Sequence, residues 1–460
     1  MFKRNRLWYG NSNDALIPEI WSNEALAILT ENMVVTNLVH RDFSDEIARF
    51  GDMVHTSQPG SFTAKRKTDS DSVTVQAANT TDIQVKLDQH FHTSFMIYDG
   101  EESKSMKDLV TTHLEPAVIS IASALDQVVL GQYPQFLANS AGILGGLSST
   151  TAKQYMLDTR KVMNENKAFV NGRNLIWNSD GETEALNTDI FLTADKVGDN
   201  GTALREASMG RKLGFNNFMA QNMPYVSIGN TTVTGAINNA AGYAVGVKTF
   251  TVDGFSAAIS AGSYITIAGD MTPLRVVSTV GGATPTAITV LTGLKTAVVD
   301  NAVITIYTPG AVNLVAGYAA NWAKEIVVDG FSVAPQVGQF VAFGTSTATA
   351  VYTIIDVTGT TGITLDRPLE AAIADNVTVN IGPAGSYNFA FHRNAIAFVS
   401  RPLATPRPGA GALSAVANYN NIAIRTTITY DGNNQGHLVT VDLLGGVKVL
   451  DTNLGAVLLG

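Results

Sequence analysis

Cysteine is absent from the 460 residues, which excludes a disulfide framework, zinc–thiolate and iron–sulfur sites, and any cysteine nucleophile. Charge is scarce: Asp, Glu, Lys and Arg make up 15% of the chain, below the roughly 25% usual in soluble domains. The balance is acidic, with 30 basic against 39 acidic side chains and a net charge of −9, which argues against tight nucleic-acid binding by the whole chain. No uninterrupted apolar stretch approaches the roughly 18 residues that would span a bilayer. The basic start at Lys3, Arg4 and Arg6 runs into Trp8, Tyr9 and the polar Asn11 to Asp14, so the apolar centre of a signal peptide is missing and synthesis in a cytosol is expected. The sequons at Asn79, Asn230 and Asn376 carry no weight in that setting.

What is present is apolar and small. Hydrophobic residues reach 45% and glycine 41 copies, so much of the surface is Ala, Gly, Ser, Thr and Asn. Extensive subunit contacts and a Thr-rich β protein explain that composition about equally well. The length allows about two to four domains.

Patterning changes along the chain. Residues 1–50 hold one short helical pattern, with Pro18 at its start and Ile20, Trp21, Leu26, Ala27 and Ile28 on an apolar side. From 51 to 99 the period becomes two: Ile83, Val85, Leu87 and Phe91 alternate with Gln84, Lys86, Asp88, His90 and His92, and Val73 and Val75 repeat the pattern. Pro59-Gly60 and Lys65-Arg66-Lys67 lie between the strands of this long hairpin. Such a hairpin is marginal in water alone and needs something to lie on.

Residues 102–223 are helix-rich. Val118, Ile121, Ala122, Leu125, Val128 and Val129 line one face of a helix that starts near Pro116 and ends near Gly131, preceded by a helical run from Met106 to Leu114. Ser148 or Ser149 caps a second helix bearing Ala152, Tyr155, Met156, Val162 and Met163. Leu175 to Trp177 reads as a strand and Ala203 to Met209 as a helical turn or two. Helices and strands without βαβ alternation argue for an α+β fold.

Residues 224–385 carry an internal repeat. Lys248 to Ser256 matches Lys324 to Ser332, with Asp253-Gly254-Phe255 and Asp329-Gly330-Phe331 displaced by 76 residues. Gly262 and Gly338 keep that offset, Asp300-Asn301 matches Asp375-Asn376, and Pro309-Gly310 is loosely echoed by Gly382-Pro383. Each copy reads as about five short strands, enough for a small β-barrel or half of a larger sandwich. After 385 longer strands return, with a hairpin turn at Asp431-Gly432-Asn433. The repeat block reads as an insertion whose flanks, 102–223 and 386–460, complete one sheet.

No reactive constellation emerges. Gly142 to Gly146 and Gly246-Val-Lys248-Thr249 lack the spacing and the Gly-Lys pair of a P-loop, and read as loop glycines. Asp69-Ser70-Asp71 opens like a calcium loop, but Thr74 and Thr80 stand where that loop needs Gly and Glu. His90 and His92 share one strand face, as metal-ligand pairs do, yet Lys86 and Asp88 make that face a polar, solvated or intersubunit one, and no further ligand can be named. His40, His55, His113, His392 and His437 have no recognisable Ser or Asp partner, and no GxSxG elbow occurs. Lys65-Arg66-Lys67 reads as a solvated loop tip or as an electrostatic clamp onto an acidic patch of a neighbouring copy.

Ile17-Pro-Glu-Ile-Trp21, Gly51-Asp-Met-Val54, Phe95 to Glu102, Ala124-Leu-Asp126, and Phe391-His-Arg-Asn-Ala395 through Arg401-Pro-Leu403, in that order, resemble the major capsid proteins of tailed double-stranded DNA bacteriophages. The likeness is to the short-tailed-phage coat proteins with an inserted β-domain. It implies the α+β Hong Kong 97 type capsid fold: an N-terminal arm over 1–50, an extended β-hairpin loop over 51–101, and a peripheral domain with its spine helix over 102–170. The central domain then takes 171–223 and shares 386–460 with the peripheral one. The inserted all-β domain spans 224–385, with repeats at about 247–310 and 323–385; the duplication departs from the single β-domain usual there.

The resemblance further implies a virion protein, assembled in the host bacterial cytoplasm, that forms pentamers and hexamers of an icosahedral shell. A scaffolding protein and a portal are its expected partners, packaged double-stranded DNA touches it only through weak inner-surface contacts, and no membrane, cofactor, metal or catalytic residue is expected. The candidate intersubunit residues, on the extended loop, are Lys65, Arg66, Lys67, His90 and His92. The alternative is a β-rich surface fibre or adhesin that binds glycans, against which the helices of 102–223 speak; a hydrolase with a β-sandwich appendage is a third class.

Overall fold

The structure, a computed structural model, describes residues 17–41, 53–58, 64–67, 69, 72–73, 75–76, 81–98, 110–188, 191, 207, 209–226, 231–282, 284–308, 313–320, 323–344, 350–407 and 411–460. The basic start, Pro59-Gly60, the helical run from Met106 to Leu109, Ala203 to Arg205 and Pro309-Gly310 lie outside these residues. Contacts divide the chain into two units: residues 1–33, 41–125 and 398–447, and residues 34–40, 126–397 and 448–460.

In the first unit, helix α1 (Ile17–Asn32) turns Trp21, Ser22, Ala25, Leu26 and Leu29 inward, an i, i+4 stripe. It lies on strands β22 (Ala412–Tyr419) and β23 (Ile422–Asp431), to which the Ser22 hydroxyl adds a hydrogen bond to the Ala415 carbonyl at 3.0 Å. The stripe differs from the expected one: Ile20 and Ala27 are exposed and Ile28 half-buried, because the helical period carries the buried face through 21, 25 and 29. The same sheet holds β21 (Ile396–Arg401) and β24 (Gly436–Val449), in the order β21-β24-β23-β22, and β3 (Gln89–Tyr98) pairs β24 from Tyr98↔Gly436 to Gln89↔Gly445. A two-residue turn, Asn420-Asn421, joins β22 to β23 with both φ angles positive, at 52° and 62°. Asparagine tolerates that left-handed geometry, which matches strand twist in tight hairpins.

Strands β1 (Met53–Gln58) and β2 (Thr81–Lys86) form a separate two-stranded sheet. The alternating run expected to continue from Ile83 to Phe91 is broken after Lys86, where Leu87 and Asp88 leave the ribbon and the chain enters β3. β3 therefore joins the five-stranded sheet instead of extending the hairpin, and Val73 and Val75 lie in no strand.

Helix α2 (Glu115–Leu130) buries Val118, Ile121, Ala122, Leu125, Val128 and Val129, between a π turn at Val110–Leu114 and a 3-10 turn at Tyr133–Asn139. By length and composition alone the helical run Thr112–Asn139 could cross a membrane, contrary to the sequence expectation, but 61% of its apolar stretch is buried inside the protein, as in a core helix.

The second unit is built on a mixed sheet. Its order is β4 (Ser140–Gly142), β25 (Gly455–Leu459), β20 (Gly385–His392), β5 (Arg173–Trp177), β7 (Phe215–Met219), β6 (Arg211–Lys212), with β8 (Tyr225–Val226) beside β20. β4 with β25 and β5 with β7 are parallel pairs. Its strands thus come from 140–226, 385–392 and 455–459, whereas 396–449 supplies four strands of the separate five-stranded sheet, so the flanks of the repeat block build two sheets and not the one expected. Helix α3 (Ala152–Glu165) packs Met156 and Met163 into the core beside this sheet. Thr151, not Ser148 or Ser149, holds its N-cap position, and its hydroxyl accepts the Ser148 N–H. Asn178 caps α4 (Ser179–Leu186) by accepting the Gly181 N–H at 2.7 Å. Ala207 and Met209, at the expected helical turn, are not helical.

Between β8 and β20 the repeat becomes two β modules. In the first, β9 (Thr231–Ile237), β10 (Thr249–Asp253), β11 (Tyr264–Ile267), β12 (Leu274–Val280), β13 (Ala287–Val290) and β14 (Val303–Thr308) close a barrel in the order β10-β13-β12-β11-β14-β9. In the second, β15 (Glu325–Val327), β16 (Phe340–Phe343), β17 (Tyr352–Thr358), β18 (Gly362–Leu365) and β19 (Val379–Ile381) take the same order, β15-β18-β17-β16-β19. Asn313 and Leu314 bridge Thr378 and Val328, standing where β9 closes the first module. Local details repeat. Bulges fall between Val276 and Ser278 and between Ile354 and Asp356; Asn301 and Asn376 have φ of 59° and 61°; the Tyr243 and Tyr318 hydroxyls accept the N–H of Thr251 and Val327. Each module has its own core, around Phe250, Ile265 and Ile304 in the first and Val341, Ile354 and Leu365 in the second.

Candidate assembly surfaces

The β1–β2 ribbon is rooted at Val85 and Leu87, both buried, and becomes exposed outward. Lys65, Arg66 and Lys67, on the segment joining its strands, are exposed and form no ion pair among the described residues. Val73 and Val75, on the same segment, are 75% and 89% exposed. Across the ribbon His55 Nδ1 lies 2.9 Å from Asp82 Oδ2. Hydrogen bonds from His55 and Gln84 hold the Asp82 carboxyl below its ordinary range.

His90 and His92 lie side by side on one face of β3, ring centroids 6.3 Å apart. His90 Nε2 sits 3.3 Å from Asp442 Oδ2 on β24, and Arg425 on β23 pairs with both oxygens of the same carboxylate. His90 is therefore engaged within its own chain, while His92 is exposed. Burial would raise the Asp442 carboxyl, but the hydrogen bonds from His90 and Arg425 outweigh it and hold the group below its ordinary value. No cluster of three or more His, Asp or Glu able to hold a metal occurs among the described residues. The structure thus brings the two histidines together on β3, while the three cations lie on the segment that joins β1 to β2.

Two further constellations were not apparent from sequence. Buried Asp126, on α2, accepts the N–H groups of Val34, Val35 and Thr36 and the Thr36 hydroxyl at 2.6–3.3 Å, which pins residues 34–36 in the second unit. A lone acid on an apolar helix face gives no pattern that names its donors. Asp366, fully buried, accepts from Gln132 Nε2 at 2.9 Å, Thr353 N at 2.8 Å and Arg367 Nη1 at 2.8 Å. The adjacency Asp366-Arg367 was the only signal available for that pair.

No protein-family profile and no curated protein matches the chain. Among solved structures it is similar to a chain from Mycobacterium phage Che8, with 11% identity, a TM-score of 0.40, and 92% of this chain and 90% of that one covered. The capsid structure of the cyanophage P-SCSP1u gives 9% identity and a TM-score of 0.41 over 93% and 88% of the two chains. The mature capsid of bacteriophage PhiM1 gives 8% and 0.38 over 91% and 82%.

Proposed function

We propose that this chain is a major capsid protein that self-assembles into the icosahedral head shell enclosing a phage double-stranded DNA genome. The observation that carries the reading is the β1–β2 ribbon: two strands in a sheet of their own, whose joining segment holds Lys65, Arg66, Lys67, Val73 and Val75 in solvent. A two-stranded ribbon is marginal without a surface to lie on, and a second copy of the chain supplies one. The ordered sequence pieces that resemble tailed-phage coat proteins point the same way.

In this reading residues 1–50 are the arm, 51–101 the extended loop, 102–170 the peripheral domain, 171–223 and 386–460 the central domain and its return, and 224–385 an inserted β-domain. The mechanism is geometric. Sheets and the α2 spine keep their shape while arm and loop reach across boundaries between pentamers and hexamers. Many modest interfaces per copy then hold the shell by multivalency. The cationic tip steers the ribbon to an acidic patch of its neighbour and fixes register. A scaffolding protein, a portal and weakly held DNA complete the partners.

Negative-stain microscopy of the purified chain tests this: capsomer rings or closed shells are expected. Elongated rods would instead favour a fibre, and discrete small particles would contradict assembly.

A further inference from the structure

We infer that the two β modules share a binding site for an oxyanion of the phosphate or carboxylate class. A cavity of about 370 Å³ in the second unit is lined by Tyr264, Arg275 and Leu291 of the first module, Arg367 and Glu370 of the second, and Lys448. Such a volume lies within the range of small-molecule sites. Arg275 is only 5% exposed, yet its Nε and Nη2 have no hydrogen-bond partner and no carboxylate pairs with it among the described residues. A guanidinium stays charged at any physiological pH, so burying it without an acid is costly unless something else supplies the charge.

The repeat shows what is missing. Arg275 pairs Tyr264 in the first module as Thr353 pairs Phe340 in the second. The Leu291 N–H donates to the Arg275 carbonyl as the Asp366 N–H donates to that of Thr353. Leu291 therefore occupies the position that holds an acid, Asp366, in the second module. That module carries base and acid together, Arg367 pairing Asp366 at 2.8 Å; the first carries the base alone. Glu370, the one acid among the described residues that line the cavity, already serves Arg367 at 3.2 Å and Lys448 at 3.7 Å. Arg367 and Lys448 thus take up the two carboxylates, Asp366 and Glu370, neither of which pairs with Arg275, and the charge that Arg275 lacks comes from outside the chain. The anion fits against the planar guanidinium, with Lys448 at its rim and Leu291 on the apolar side.

The test uses the full, unassembled chain in thermal unfolding, comparing chloride buffer with millimolar sodium phosphate or sodium acetate at matched ionic strength. Phosphate or acetate should raise the midpoint saturably, by about 2 °C or more. Arg275→Met should raise the midpoint in chloride and abolish the anion shift, a combination a purely structural arginine would not give. Lys448→Met, at the partly exposed rim, should fold normally and reduce the shift. No shift with either anion, a full shift in Arg275→Met, or an unchanged shift in Lys448→Met would each overturn the site. Loss of the response in assembled particles would identify the natural anion as a carboxylate of a neighbouring copy, and its persistence a free anion; both results support the site, and neither the shift nor its loss in the variants depends on shell formation.

Discussion

The β1–β2 ribbon and the two β modules are written in the same vocabulary of short Thr- and Val-rich strands and turn residues, and they end differently. Each module turns its apolar positions onto a core of its own: β12 and β17 both bury three residues and then alternate, and β13 and β18 share one alternation. The ribbon has a buried root at Val85 and Leu87 and nothing comparable beyond it among its described residues. A fully buried Val, Ile or Phe contributes about 1.5–3 kcal/mol, so modules with several such residues hold themselves, whereas the ribbon depends on what it is laid against. Strand propensity alone does not separate the two cases; the number of strands that share a core does.

The sharpest way to break this comparison is to hollow the modules. Ile265→Ala, fully buried in the first module, should cost about 2–5 kcal/mol, and Val341→Ala at the equivalent place in the second somewhat less, in urea unfolding followed by tryptophan fluorescence and circular dichroism. A loss below about 1 kcal/mol at both would mean that the modules lack independent cores.

Next in size is Asp442→Asn. It leaves Arg425 with half of its partner and should cost about 3 kcal/mol at neutral pH. Because the folded-state value of Asp442 is depressed, its contribution is present above the ordinary carboxyl value of 3.8 and is lost as pH falls below it. The stability gap between wild type and variant should therefore close on acidification through that range; a gap that is unchanged by pH would show that the carboxylate's charge is irrelevant.

Asn301→Val and Asn376→Val, each forcing a β-branched residue into a left-handed φ, should cost about 1–2 kcal/mol, with glycine at either position nearly neutral. Equal tolerance of valine would remove the backbone explanation for the repeated Asp-Asn. The smallest effect on folding is expected at the ribbon. Replacing Lys65, Arg66 and Lys67 by Ser should change the stability of the free chain by less than about 0.5 kcal/mol while slowing assembly in light scattering, as added salt should do for the wild type.

Much of the fold was legible because local chemistry repeats. The 76-residue echo fell on equivalent strands because Asp-Gly and Asp-Asn pairs mark turns whose φ angles few other residues accept. The α2 face was legible from its period, and β5 from its run of three apolar residues. What escaped depends on distant partners. The end of β9, Gly235-Ala236-Ile237-Asn238, is echoed by Gly310-Ala311-Val312-Asn313, but so short an echo does not by itself mark β9 as the strand that closes the barrel. β3 pairs β24 across some 350 positions, and the break after Lys86 follows from where that partner lies. On the candidate surfaces, the loop cations and the two histidines could be named in advance, but the engagement of His90 by the Asp442–Arg425 pair could not, since His90 meets that hairpin pair only where β3 joins β24 from some 350 positions away.

Hydrogen exchange measured on the free chain and on purified particles tests the central claim most directly. Amides of β1 and β2 should exchange rapidly in the free chain, while those of β11 and β16 are protected, and should become protected once particles form. If the ribbon is already as protected in the free chain as the module cores, and assembly leaves it unchanged, the proposed role is wrong.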